Sequence, residues 1–212
     1  MKRLLKIRNK PGRKTLRIVS VNDMDVGTLP QSVLFQYAGK NEHEVICNDH
    51  KIELMLESVY KYTLGRILNY LTRQDRSEIE CRRYLKQFYI SEDMTDKIID
   101  KLKSYNYLND ARYAESIAIS ASSRGLSRKE LAFKMRERGL NEAIATEAID
   151  KYYNDKEADE KLYRKIQKTA DRYSSLPYCK LKEKVLAKFY KKGFSLDKIS
   201  CLLEKYSTEK DN

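Results

Sequence analysis

The sequence predicts a mainly α-helical protein: an elongated tandem array of three-helix repeats with a small β-containing extension at its N-terminus. Three observations carry this. Glycine and proline crowd the first region, the apolar spacing is helical from residue 61 onward, and the later part of the chain superimposes on itself at shifts of 50 and then 54 residues. With 41% hydrophobic residues, 212 positions can bury cores, yet no apolar run approaches the roughly 20 residues of a spanning helix. A soluble, cytoplasmic protein is expected, because the short apolar runs after Met1 are all broken by charge and form no secretory leader.

In the first region, Leu4–Arg8 and Thr15–Val21 are short, alternating or β-branched, and separated by Asn9-Lys10-Pro11-Gly12, which predicts a hairpin. Residues 30–38 fit either a short helix entered at Pro30 or a further strand. Eight Lys/Arg and no acid fall in the first 17 residues; this basic edge either guards the sheet against aggregation or faces an anion.

The repeat is read from equivalent positions. Cys81, Leu131 and Val185 align, then Leu85, Met135 and Phe189, giving two apolar positions one helical turn apart in each copy. Tyr89, Gly139 and Gly193 follow, at a helix end where glycine accommodates positive φ; the first copy breaks that rule. Ile90, Leu140 and Phe194 are apolar anchors, and Ser91, Asn141 and Ser195 are N-cap types that open the next helix. That helix keeps an inward face through Ile98, Ala148 and Leu202, then Ile99, Ile149 and Leu203, then Leu102, Tyr152 and Tyr206. A helix precedes each pair, at about 61–74, 110–123 and 155–173. Capping boxes are expected at Ser77/Glu80 and Ser127/Glu130, with none in the third copy. The expected divisions are 1–48, 49–108, 109–154 and 155–212. One such unit buries little alone, so stacked copies are the expected way to stabilise it.

Lys and Arg number 43 against 31 Asp and Glu, a net charge of +12, and every region shares the excess: +3 in 1–60, +3 in 61–108, +1 in 109–154 and +5 in 155–212. Such spread suits a long polyanion or acidic protein groove better than one compact ligand. Any single basic cluster reads more plainly as a solvated helix face, but clusters recur in successive units, which favours a binding face. Most of the sixteen tyrosines, Tyr84, Tyr152, Tyr173 and Tyr206 among them, lie near apolar spacing and are expected in cores; Tyr60, Tyr62, Tyr153 and Tyr178 are the stacking candidates.

Chemistry-bearing motifs are missing. There is no phosphate-binding glycine loop, nucleophile elbow or H-E-x-x-H, and carboxylate pairs such as Glu78/Glu80 and Asp96/Asp100 sit among Lys and Arg as ordinary surface ions. No enzyme, cofactor or metal is expected. Cys47, Cys81, Cys179 and Cys201 are too scattered for a disulfide framework, and His43/Cys47/His50 lacks a fourth ligand.

Taken together, these features resemble the RecX family, regulators of the bacterial RecA recombinase. The resemblance rests on Leu68-Asn69-Tyr70-Leu71 followed by Arg76-Ser77-Glu78 and Leu85, on Tyr107-Leu108-Asn109-Asp110-Ala111-Arg112-Tyr113-Ala114-Glu115, on Arg124-Gly125, and on Arg138-Gly139-Leu140 and Lys192-Gly193-Phe194. Phe88-Tyr89 departs from the family's usual basic-Gly pair, and Ser122-Ser123 stands where more basic residues are common. The resemblance implies a monomer without membrane contact that lodges in the RecA–single-stranded DNA filament, with weak non-specific DNA binding. It would restrain strand exchange, ATP turnover and co-protease activity, and so recombination, DNA repair and the SOS response. The residues expected on the anionic-partner face are Arg73, Arg76, Arg82, Arg83, Lys86, Arg124, Arg128, Lys129, Lys134 and Arg136. Reversing Arg82 and Arg83 is expected to weaken inhibition without unfolding. The reading of another class is a helix-turn-helix transcription factor, disfavoured because the outward residues of the second helices vary and include few Asn or Gln.

Overall fold

The computed structural model describes residues 2–39 and 43–211, and the chain divides into two compact units, the first ending at Asn109 and the second beginning at Asp110. The first unit opens with β1 (Lys2–Lys10), β2 (Arg13–Val21) and β3 (Met24–Pro30), then α1 (Gln31–Ala38) and β4 (Glu44–Asn48), forming an antiparallel sheet of order β3-β2-β1-β4. The expected hairpin is β1–β2, with Gly12 at φ 70 in its turn. Of the two readings of residues 30–38, the helix is found, and Pro30 is its N-cap at φ −61. Strands β3 and β4 had no counterpart among the sequence expectations.

Helix α2 (Asp49–Leu71) begins well before the expected start at about 61. Asn48 caps it by accepting from the Lys51 N–H. Its first half carries Ile52, Met55 and Val59 into a core with Leu5, Val19 and Leu29 of the sheet. Its second half carries Ile67 into a core with Cys81 and Leu85 of α3 (Glu78–Lys86) and with Ile98, Ile99 and Leu102 of α4 (Glu92–Ser104). One helix therefore serves two cores, and removing residues 1–48 would bare the apolar face of its first half.

The second unit holds α5 (Asp110–Ser123), α6 (Arg128–Glu137) and α7 (Glu142–Tyr152), then α8 (Asp155–Arg172), α9 (Tyr178–Tyr190) and α10 (Leu196–Asp211). The aligned positions behave alike. Cys81, Leu131, Val185, Leu85 and Met135 are fully buried, and Phe189 nearly so. Tyr89, Gly139 and Gly193 all have positive φ, at 56, 76 and 84. Ser91, Asn141 and Ser195 accept from Met94, Ala143 and Lys198 N–H groups respectively. The repeat is thus a periodic core with a left-handed residue between its second and third helices.

Tyr89 takes up that conformation without being glycine, and its ring has the Arg8 guanidinium 5.9 Å and the Lys10 ammonium 5.7 Å from its centroid. Thr28 donates its hydroxyl to the Phe88 carbonyl at 2.9 Å, and Lys10 donates to the Gln87 carbonyl. The departure at Phe88-Tyr89 is therefore the site where the sheet grips the first three-helix repeat.

At Ser77 the capping box is complete: its hydroxyl accepts from the Glu80 N–H at 3.2 Å and Glu80 accepts from the Ser77 N–H at 3.0 Å. Ser127 forms only half of one, accepting from Glu130 N–H at 3.0 Å, while its own hydroxyl donates to the Lys192 carbonyl at 2.5 Å and Glu130 pairs with Lys134. The third copy has no side-chain cap at Pro177, as expected. Replacing Ser77 by Ala should lower stability by about 1–2 kcal/mol in urea titrations; an unchanged midpoint would show the box contributes nothing.

Candidate functional site

Three of the eight basic residues of the hairpin are answered by acids of its own unit. Arg3 pairs with Asp49 at 2.7 Å, Lys6 with Asp23 at 2.6 Å, and Arg8 with Asp25. Lys2, Arg13 and Lys14 are exposed without an acid partner among the described residues, so both readings of the edge, a guarded sheet and an anion-facing surface, stand.

Several of the ten expected cations likewise hold the fold. Arg82 bonds Glu78 at 2.8 Å on its own helix and Asp96 at 2.7 Å on α4, and these carboxylates raise its pKa above the ordinary value. Burial pushes Glu78 up, but hydrogen bonds from Lys103 and Arg82 outweigh it and leave the carboxyl below its usual range. Arg76 bonds Glu80 at 3.2 Å and lies 4.5 Å from the centroid of Tyr70, which itself stacks on Tyr84 at 4.2 Å. Arg128 spans Asp155 at 2.7 Å and Asp150 at 3.0 Å beside the Tyr153 ring. Lys134 pairs with Glu130 at 3.5 Å. Reversing Arg82 would therefore break a two-carboxylate clasp between α3 and α4, contrary to the expectation that reversing it leaves stability intact.

One recurring position marks packing. Under the shift of 54, Arg128 falls on Lys182 and Asp150 on Glu204, and Lys182 pairs with Glu204 at 3.4 Å. Arg138 donates to the Tyr113 hydroxyl, and Lys188 to the Thr169 hydroxyl at 2.8 Å. The remaining expected residues differ. Arg73, Arg83, Lys86, Arg124, Lys129 and Arg136 are exposed and make no ion pair among the described residues. Lys86 and Arg136 occupy equivalent places, one at the last position of α3 and the other one residue before the end of α6.

The tyrosine expectations need correction. Tyr84, Tyr152 and Tyr206 are half-buried and pack against the cores of their repeats, and Tyr173 is half-buried. Tyr153 is buried, its hydroxyl bonded to the Leu126 carbonyl and pushed up to about 12 by burial, which removes it as a stacking candidate. Tyr178 is exposed, while Tyr60 and Tyr62 are half-buried. The most exposed rings instead include Tyr105, Tyr107, Phe133 and Tyr190, which apolar periodicity did not single out.

Cys47 and Cys81 are buried in separate cores, whereas Cys179 and Cys201 are exposed. Among the described residues, no group of His, Cys, Asp or Glu is placed to hold a metal ion, and no helix is long and apolar enough to cross a membrane.

Fold and surface together define a tandem three-helix repeat protein in which the exposed, unpaired cations among the ten expected lie on α3, α6 and the loops that precede α3 and α6. Residues 64–102 match the first three-helix domain of RecX and residues 109–149 the second. A regulatory protein RecX of Bacillus cytotoxicus is 32% identical over 161 residues, covering 74% of this chain and 57% of that protein. One from Streptococcus equi subsp. zooepidemicus is 24% identical over 98% of this chain and 80% of its own length. The crystal structure of RecX from Lactobacillus salivarius superimposes with a TM-score of 0.62 at 29% identity, over 70% of this chain and 97% of that one. The chain belongs to the RecX family. It spans little more than half the length of the Bacillus cytotoxicus relative and 69% of that of Bacillus thuringiensis.

Proposed function

We propose that this chain is a cytoplasmic, non-enzymatic regulator that binds a RecA–single-stranded DNA filament and inhibits its strand exchange, ATPase and co-protease activities. The observation that carries the reading is the set of exposed cations without internal partners, Arg73, Arg83, Lys86, Arg124, Lys129 and Arg136, on a RecX-family fold. An ammonium or guanidinium with no carboxylate of its own is free to replace counterions on a polyanion. Arg76, Arg82, Arg128 and Lys134 support that face by fixing helices rather than by contact. Two units on one chain engage neighbouring sites at high effective concentration, so affinity exceeds what either supplies alone.

The test is recombinase ATPase on single-stranded DNA against added protein. The wild-type chain inhibits, and inhibition weakens as salt rises. Arg83→Glu with Lys86→Glu, and separately Arg124→Glu with Arg136→Glu, should each raise the half-inhibitory concentration about tenfold, with melting temperatures close to wild type because these side chains are exposed. Undiminished inhibition by both variants overturns the assignment of this face. Preferential binding to one duplex sequence, with ATPase untouched, overturns the regulator reading in favour of a transcription factor.

A further inference from the structure

The second unit contains an open groove lined by one paired cation, Lys134, and by three lysines without an ion pair among the described residues. Lys129, Phe133 and Glu137 succeed one another at one-turn spacing along α6, and α9 ends opposite them in Tyr190, followed by Lys191 and Lys192. These segments bound an open groove of about 470 Å³. Its lining has four lysines, Lys129, Lys134, Lys191 and Lys192, against two carboxylates, and Glu130 is already engaged by Lys134. Phe133 is 53% and Tyr190 60% exposed, so both rings stand in water beside ammonium groups.

One end of the groove is fixed by close contacts. Ser127 donates to the Lys192 carbonyl at 2.5 Å, and Gly193, at φ 84, comes so near that an added Cβ would sit 2.8 Å from the Ser127 hydroxyl oxygen and 2.9 Å from Lys129 Cβ. Nearby, Lys165 donates to the Gly125 carbonyl at 2.9 Å. The start of α6 thus meets the turn that follows α9, and the two rings are carried on helix rather than on a loop.

We propose that this groove is a binding site for single-stranded nucleic acid, with bases stacking on Phe133 and Tyr190 while Lys129, Lys191 and Lys192 meet phosphates. Aromatic faces interleaved with a positive track are what an unpaired strand requires, since every base offers a π-face and every linkage a charge. A duplex keeps its base faces stacked internally. An acidic protein segment would answer the lysines but leave both rings without a partner. The proposal deepens the filament reading by assigning the element that touches the strand, and it is measured without recombinase.

The experiment titrates the full chain into a fluorescein-labelled oligothymidylate at several salt concentrations. Phe133→Ala with Tyr190→Ala should weaken binding at least about tenfold and leave the salt slope unchanged. Phe133→Trp with Tyr190→Trp should restore wild-type binding. Lys191→Gln with Lys192→Gln should weaken binding and flatten the slope by about 0.7 per lysine. Wild-type affinity in the alanine pair, at an unchanged melting temperature, overturns the proposal. So does equal competition by a duplex of the same length, or by polyglutamate at equal charge, which would point to a protein occupant. If binding behaves as proposed while recombinase ATPase stays untouched by the wild-type chain, the groove stands and the filament reading alone falls.

Discussion

Gly27→Ala should destabilise the first unit by about 3 kcal/mol, seen as a shifted urea midpoint of the far-UV signal. Gly27 lies in β3 opposite Val19, and a Cβ built there would fall 2.2 Å from Val59 Cγ1 and 3.1 Å from Cγ2. Val59 is fully buried within α2, and a β-branched side chain inside a helix has essentially one χ1 well, so it cannot swing aside. The helix must instead lift from the sheet, loosening contacts that Met55 and Leu29 make in the same core. Val59→Ala alone should cost about 2 kcal/mol through lost burial. Combined, the two changes should cost about 2 kcal/mol less than their sum, because the smaller side chain makes room for the new methyl. Strict additivity would mean that the close approach of β3 to α2 does not limit stability.

What could be read in advance was whatever repeats locally. Residues three and four apart on a helix meet whether or not the rest of the chain is known, so Leu131 and Met135, or Leu162 and Ile166, announce their cores by spacing alone. The caps at Ser91, Asn141 and Ser195 were legible for the same reason, since each bonds within three residues of itself. Strand β4 was not legible, because five residues without alternation become a strand only by pairing with β1, some forty positions earlier in the chain. The early start of α2 was written in Ile52, Met55 and Val59, at helical spacing, but His50, Lys51 and Glu53 between them obscure it.

Charge was the least legible property. Arg82 and Arg83 are neighbours in sequence and look interchangeable, yet they point to different faces of α3: one is clasped by Glu78 and Asp96, the other is exposed. Glu78 stands one helical turn before Arg82 and Ile79 one turn before Arg83, which is a local sign, but the Asp96 half of the clasp depends on where α4 places that carboxylate. Phe133 escaped notice for the converse reason. It occupies the position equivalent to Arg83, off the apolar stripe, where an aromatic ring reads as an irregularity until α9 is seen to bring Tyr190 and two lysines to the same groove.

Gly193→Ala should cost about 3 kcal/mol, against about 1 kcal/mol for Gly12→Ala, and the difference separates two roles of glycine. Both have positive φ, at 84 and 70, so both substitutions strain the backbone alike. Around Gly12 nothing lies within 4 Å of an added Cβ, whereas at Gly193 it meets the Ser127 oxygen at 2.8 Å and Lys129 Cβ at 2.9 Å. Ser127 cannot yield cheaply, because its hydroxyl both caps α6 at Glu130 and bonds the Lys192 carbonyl. Removing that oxygen in Ser127→Ala with Gly193→Ala should recover only part of the loss, since Lys129 Cβ still obstructs. Hydrogen exchange should then show α9 and α10 losing protection before α5 to α8, because the contact at Gly193 holds the end of α9 while α8 is held separately against α5. Equal costs at the two glycines would mean that the turn tolerates a side chain and that the contact is looser than these distances require.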